Sequence, residues 1–170
     1  MIQKDMIYKG IRAADPLPSG IPQEEREQAV LSRIIEAILA ANEIQIPQAQ
    51  EEEAADRKML EYRHRLQYES MCFGIPYDKM KEDTEKLLKQ FRKEARLELQ
   101  TEQILQTVIA GEGLMVSPEE LEAEAAAMAE RQNLPLEMVK GFFGEDYGML
   151  RQELLEKKAM KFLYENAVSG

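Results

Sequence analysis

A helix-to-helix junction, written twice in the chain, constrains the fold more than any other feature. Residues 104–121 read Ile-Leu-Gln-Thr-Val-Ile-Ala-Gly-Glu-Gly-Leu-Met-Val-Ser-Pro-Glu-Glu-Leu, and residues 38–47 read Ile-Leu-Ala-Ala-Asn-Glu-Ile-Gln-Ile-Pro. One fixed offset lays Ile38 on Val108, Leu39 on Ile109, Ala40 on Ala110, Ala41 on Gly111, Ile44 on Leu114 and Ile46 on Val116. In each copy a helix with paired aliphatics ends at small or polar residues, and a short segment then alternates apolar and polar. A proline opens the next helix, where its fixed φ and missing N–H cost little. In the second copy Ser117 can cap, Pro118 takes the first helical position and Glu120 completes a Ser-x-x-Glu capping box. A chain organised around two such junctions is a chain of helices.

Amphipathic periodicity fills the space around them. Val30, Ile34 and Ile38 run beside Leu31, Ile35 and Leu39 at spacing four, which predicts a helix over 23–42 with a wide apolar face. A second helix, 47–70, carries only the thin line Ala55, Met59, Tyr62 and Leu66, a seam suited to pairing with one other helix in a hairpin. Cys72-Phe73-Gly74-Ile75-Pro76 breaks the pattern, and a third helix is expected over 77–110, with Met80, Leu87, Phe91, Ala95, Leu105, Val108 and Ile109 as its apolar positions. At 1.5 Å per residue that helix would be on the order of 50 Å long, so an elongated body with protruding helical arms is expected. Shorter helices follow over 119–132, 136–143 and 147–167. Residues 1–22, with the breaker cluster Asp15-Pro16-Leu17-Pro18-Ser19-Gly20, read as an N-terminal arm or linker with little structure of its own; residues 23–170 read as one helical domain.

Bulk properties exclude several functions. A net charge of −10 and a pI near 4.8 repel the phosphate backbone, so no nucleic-acid partner is expected. The single cysteine, Cys72, forms no intramolecular disulfide. No stretch approaches the about 18 consecutive apolar residues of a membrane span, and the first ten residues lack the apolar core of a signal peptide, so the expected location is cytoplasmic. No phosphate loop, metal-spaced Cys or His cluster, or nucleophile motif occurs, so neither an enzyme nor a cofactor is expected. Glu51, Glu52 and Glu53 point in different directions on a helix and read as a solvated helix start that favours the dipole, His64 as a surface residue and Cys72 as a small apolar residue at a turn.

The order of these elements resembles the C-terminal domain of trigger factor, the bacterial ribosome-associated chaperone. The likeness is carried by the 38–47 run, by Gln106-Thr-Val-Ile-Ala-Gly-Glu-Gly-Leu-Met-Val-Ser-Pro-Glu-Glu-Leu121 and by the closing Met149-Leu-Arg-Gln-Glu-Leu-Leu-Glu-Lys-Lys-Ala-Met-Lys-Phe-Leu163. In that family the first corresponds to the helix entering an arm, the second to the return from one arm to the next, and the third to the terminal helix on the body. The periplasmic SurA-type chaperones have a related helical fold, but the missing signal segment argues against that compartment. Two departures matter. No Gly-Phe-Arg-x-Gly ribosome-docking motif occurs, and the 22 residues before the first helix cannot hold the family's prolyl isomerase domain, so ribosome binding and isomerase activity are not implied.

The resemblance implies an all-α chaperone domain that binds unfolded or nascent polypeptide, without ATP, in a cradle between helical arms. Such binding needs apolar groups that repack against many partner shapes, which methionine and aromatic side chains supply. Met59, Tyr62, Leu66, Met128, Met138, Phe142 and Phe143 are the candidate polypeptide-binding residues. Exposure is expected where the helix is thin, at Met59, Tyr62 and Leu66, and around Phe142 and Phe143. The same spacing also suits packed cores. The alternative is a structural interaction module that clamps one folded partner or self-associates. The chain could also be a fragment of a longer trigger-factor-like protein.

Overall fold

Local chemistry at the helix ends sets the architecture. In a computed structural model, which describes residues 7–11, 20–80, 83–144 and 146–168, the elements are α1 (Gln23–Ala41), α2 (Gln48–Phe73), α3 (Tyr77–Met80), α4 (Thr84–Glu112), α5 (Pro118–Gln132), α6 (Leu136–Phe143) and α7 (Gly148–Val168). The fold is all-α, with no strand among the described residues.

The two junctions solve the same end problem differently. After α4, Gly113 takes the left-handed conformation (φ 60°), the Leu114 amide donates to the Ile109 carbonyl at 3.0 Å, and the Gly113 amide donates to Ala110 at 3.4 Å, a Schellman closure. After α1 no left-handed residue follows. Asn42 stays extended, and its side-chain amide donates to the Ile38 carbonyl at 2.9 Å and to the Ile7 carbonyl at 3.0 Å. The α5 cap is the expected box: Glu120 N–H donates to Ser117 Oγ at 3.2 Å, and Ser117 N–H donates to Glu120 Oε2 at 2.8 Å. In the first copy Pro47 is itself the N-cap, and no side chain caps α2.

The expected single helix over 77–110 is instead two. Asp83 starts α4 afresh: its Oδ1 accepts from the Glu85 amide at 2.9 Å, and its carbonyl accepts from Leu87 at 3.0 Å. The expected apolar position Met80 closes α3.

Contacts divide the chain into two compact units, one of Met1–Asn42 with Ile104–Gly170 and one of Glu43–Gln103. The first has the thick core. Ile34, Ile38, Ile104, Val108 and Leu150 are its largest fully buried side chains, and α1 packs on α7. Burying each such aliphatic contributes about 1.5–3 kcal/mol. Of the two stripes on α1, Val30, Ile34 and Ile38 are buried throughout, whereas in the second only Ile35 is buried. A further cluster joins α5, α6 and α7 through Leu121, Ala125, Ala129, Val139, Tyr147 and Leu150. Ile7 and Tyr8 are also buried in this unit, so part of the stretch expected to lack structure is packed; residues 1–6 and 12–19 lie outside the described residues.

The second unit has a narrow seam. Ala54, Ala55 and Ala95 form its center, with Leu88, Phe91 and Leu99 against them. Contacts of Gln100 with Ile44, Arg96 with Glu51 and Phe91 with Tyr62 run in opposite chain directions, so α2 and α4 lie antiparallel here.

Candidate functional site

Where large apolar side chains fail to find cover inside their own unit is the informative question, because burial is the ordinary fate of such residues at helical spacing. Two groups of such residues lie close in sequence; Leu60, Leu97, Met115 and Met149 are exposed elsewhere.

In the first unit, α6 is a short helix, Leu-Glu-Met-Val-Lys-Gly-Phe-Phe, opened by Pro135. Val139 and Phe143, one turn apart, face the α5–α7 cluster. Met138 and Phe142, also at spacing four, form a second stripe that is 58% and 75% exposed, and Leu134, just before the helix, is exposed as well. Phe142 sets its ring at 88° to that of Phe143, so the exposed ring stands against a half-buried one. Pro135 accepts the first helical bonds from Met138 and Val139, and α5 ends in a Schellman closure with Asn133 left-handed, which fixes where the stripe begins.

In the second unit, the seam runs out at the end of α2. Beyond buried Leu66, Tyr68, Met71, Phe73 and Ile75 are all exposed, Met71 at 85%. Left-handed Gly74 ends the helix there, with its amide donating to Ser70 at 2.9 Å, while Ser70 Oγ donates to the Ile75 carbonyl at 2.6 Å. The apolar group is therefore presented on an ordered turn.

The expected site residues divide accordingly. Met138 and Phe142 are exposed, and Phe143 and Met128 are half-buried against the α5–α7 cluster. Met59 and Leu66, expected to be exposed, are buried at 7% each. The reason is the alanine pairing beside them: small side chains let α2 and α4 approach, and the larger residues then fill the seam. Tyr62 is half-buried, edge-on to Phe91 with Arg65 over its face at 5.6 Å. Sequence reasoning passed over Tyr68, Met71, Phe73, Ile75 and Leu134. The available signal was position: each lies beyond the last seam residue or at a helix-breaking turn.

Surface ion pairs link α2 to α4 along the seam, each worth little by itself. Lys58 donates to Glu98 at 2.6 Å, and that carboxylate holds its ammonium above the ordinary lysine range. Glu51 pairs with Arg96 at 2.8 Å, so the Glu51–Glu53 run is not wholly a solvated helix start. Among the described residues no group of three or more His, Cys, Asp or Glu is placed to hold a metal ion, and no helix is long and apolar enough to cross a membrane. Cys72 and His64 are exposed.

Among the described residues the chain is all-helical, with two helix-to-helix junctions and with methionine and aromatic side chains exposed on α6 and at the end of α2, and the class it falls in is that of all-α domains. The family model describing the bacterial trigger factor protein C-terminus matches residues 21–165, and the chain belongs to that family. It is 32% identical over 144 residues to trigger factor from Bacillus pumilus, and 31% identical over 145 residues to trigger factor from Bacillus cytotoxicus. Each match covers 85% of this chain and 34% of the relative, so the chain spans about a third of the length of these relatives. A solved structure of trigger factor domains from Thermotoga maritima shares the fold, with a TM-score of 0.63 at 18% identity, covering 97% of this chain and 95% of that one.

Proposed function

We propose that this chain is an ATP-independent chaperone module of the cytoplasm that holds unfolded or nascent polypeptide on separate apolar stations, the lining of the cradle that its sequence resemblance implies. The observation that carries the reading is the exposure of Met138 and Phe142 on α6 and of Met71 and Phe73 at the end of α2, in a chain of the trigger factor C-terminal family. Methionine and aromatic side chains adapt to many partner shapes, and several weak contacts suit clients with no fixed surface. The binding set is accordingly Met138 and Phe142, with Phe143 and Met128 behind them, and the Tyr68–Ile75 stretch in place of Met59 and Leu66.

The test is aggregation of a chemically denatured protein diluted with or without the chain at equal molarity, in the absence of ATP. Suppression by the unaltered chain, weakened at least about twofold by the paired change Met138→Ser with Phe142→Ser, is expected. Both residues are exposed, so the variant keeps its fold, and circular dichroism checks this. Absence of suppression, with one folded protein bound tightly instead, would replace this reading with a dedicated interaction module.

A further inference from the structure

The first unit contains a groove already filled by the chain itself. Ile7 and Tyr8 are 7% and 6% exposed although they belong to no helix. The Tyr8 ring stands edge-on to Phe162, with centroids 6.1 Å apart, and its hydroxyl donates to Glu112 Oε1 at 2.7 Å. The backbone of the segment is held as well, since Asn42 Nδ2 donates to the Ile7 carbonyl at 3.0 Å. Beside the ring a cavity of about 320 Å³ continues between Ile34, Leu163, Asn166 and Ala167. Gly111 makes the slot possible: a Cβ there would come 2.5 Å from the Tyr8 hydroxyl, and 3.5 Å from the next ring atom. The groove thus has an apolar slot for a ring, a carboxylate that reads a phenol and an amide that reads main chain. Those are the elements of a peptide site, in which pockets select side chains and backbone contacts add affinity.

We infer that this groove is a binding subsite for polypeptide segments bearing an aliphatic residue followed by tyrosine, and that Ile7 and Tyr8 occupy it in cis. This deepens the client-binding reading above and rests on it for the identity of the ligand in trans. A tethered occupant lowers the apparent affinity of the groove for any competitor by the fraction of time it leaves the groove free. The N-terminal segment therefore keeps this subsite closed until a client of matching chemistry displaces it.

The probe is a fluorescein-labelled peptide, Lys-Asp-Met-Ile-Tyr-Lys-Gly-Ile, copied from residues 4–11, followed by anisotropy. Vacating the groove with Ile7→Ser and Tyr8→Ser is expected to tighten peptide binding about tenfold or more over the unaltered chain. Adding Gly111→Ala to the vacated chain, or replacing the peptide's tyrosine by alanine, should return binding to the starting level. A vacated chain that is folded by circular dichroism and binds the peptide no better overturns the inference.

Should vacating the groove unfold the unit, the otherwise intact chain still decides the matter through tryptic cleavage after Lys9. Gly111→Ala should speed cleavage about tenfold by evicting Tyr8, and adding Tyr8→Phe, which removes the clashing oxygen, should restore the slow rate. An unchanged rate in Gly111→Ala overturns the inference. Aggregation assays on the same proteins separate the two readings. Suppression without any gain in peptide binding leaves the chaperone reading standing and removes this one; peptide binding without suppression does the reverse.

Discussion

Ser117 and Tyr147 show how single residues fix the first unit. Ser117 closes a reciprocal cap with Glu120, and Lys158 then bridges to the Glu120 carboxylate at 2.8 Å and to the Met115 carbonyl at 2.7 Å. Replacing Ser117 with alanine is expected to cost about 1 kcal/mol, read from urea denaturation. The hydrogen bond from Lys158, with the Ser117 amide, holds the Glu120 carboxyl below its ordinary value of 4.5. A lowered carboxylate pKa contributes stability that is present above the unfolded value and lost as pH falls through the folded one. Glu120→Gln should accordingly flatten the acid limb of a melting curve measured against pH.

Tyr147 works at the opposite end of the scale. Its φ of 51° is strained for a bulky residue, yet its ring is buried and its hydroxyl donates to Glu122 at 3.1 Å. Burial first, and that bond second, raise the phenol above its ordinary 10.0. A raised pKa contributes stability that is present below the unfolded value and lost as pH climbs through the folded one. Tyr147→Phe should leave a melting profile with less loss of stability on the alkaline side than the parent, whose buried phenol must ionise there.

Among the elements, the seam between α2 and α4 is the most sensitive to size. Ala55 and Ala95 are completely buried, so neither position has room to grow. Ala95→Leu should destabilise the second unit by about 1–3 kcal/mol through overpacking. Hydrogen exchange would show lost protection in α2 and in 84–103, with α5 to α7 unchanged. This seam also explains what could be read from sequence alone. The limits of α1, α5 and α6 were legible because caps and breakers act within a few residues, as Ser117, Pro118, Asn133 and Pro135 do. The break before α4 was missed because Asp83 serves equally well inside a polar helix face or as its cap. Burial of Met59 and Leu66 was legible only as one of two readings of a thin stripe. Whether a thin stripe is covered depends on how closely a partner helix approaches, and here that was set by Ala95, forty residues away from Ala55 in the chain. Around α6, Phe142 is exposed as expected while Phe143, expected with it, is half-buried; Phe73 and Ile75 were hidden by the reading of 72–76 as a mere breaker, and Tyr68 by its place in an expected polar helix end.

At the scale of the whole molecule, the proposed chaperone action rests on the sum of weak apolar contacts, with Met138 and Phe142 exposed in the first unit and Met71 and Phe73 in the second. A client polypeptide bound at one station is tethered to the other at raised effective concentration, so losses should multiply rather than add. On that reading charge biases which clients arrive: a net charge of −10 favours approach of basic unfolded chains over acidic ones, an effect that salt screens while apolar contact persists. Three proteins make the test, one with Met138→Ser and Phe142→Ser, one with Met71→Ser and Phe73→Ser, and one with all four changes, each assayed against a basic and an acidic denatured client. Each paired change should weaken suppression about twofold or more, and all four changes together about fourfold or more. Raising salt should narrow the preference for the basic client without removing suppression. If the fourfold variant suppresses as well as the parent, the exposed stations are not where clients bind, and the search moves to the groove that Tyr8 fills.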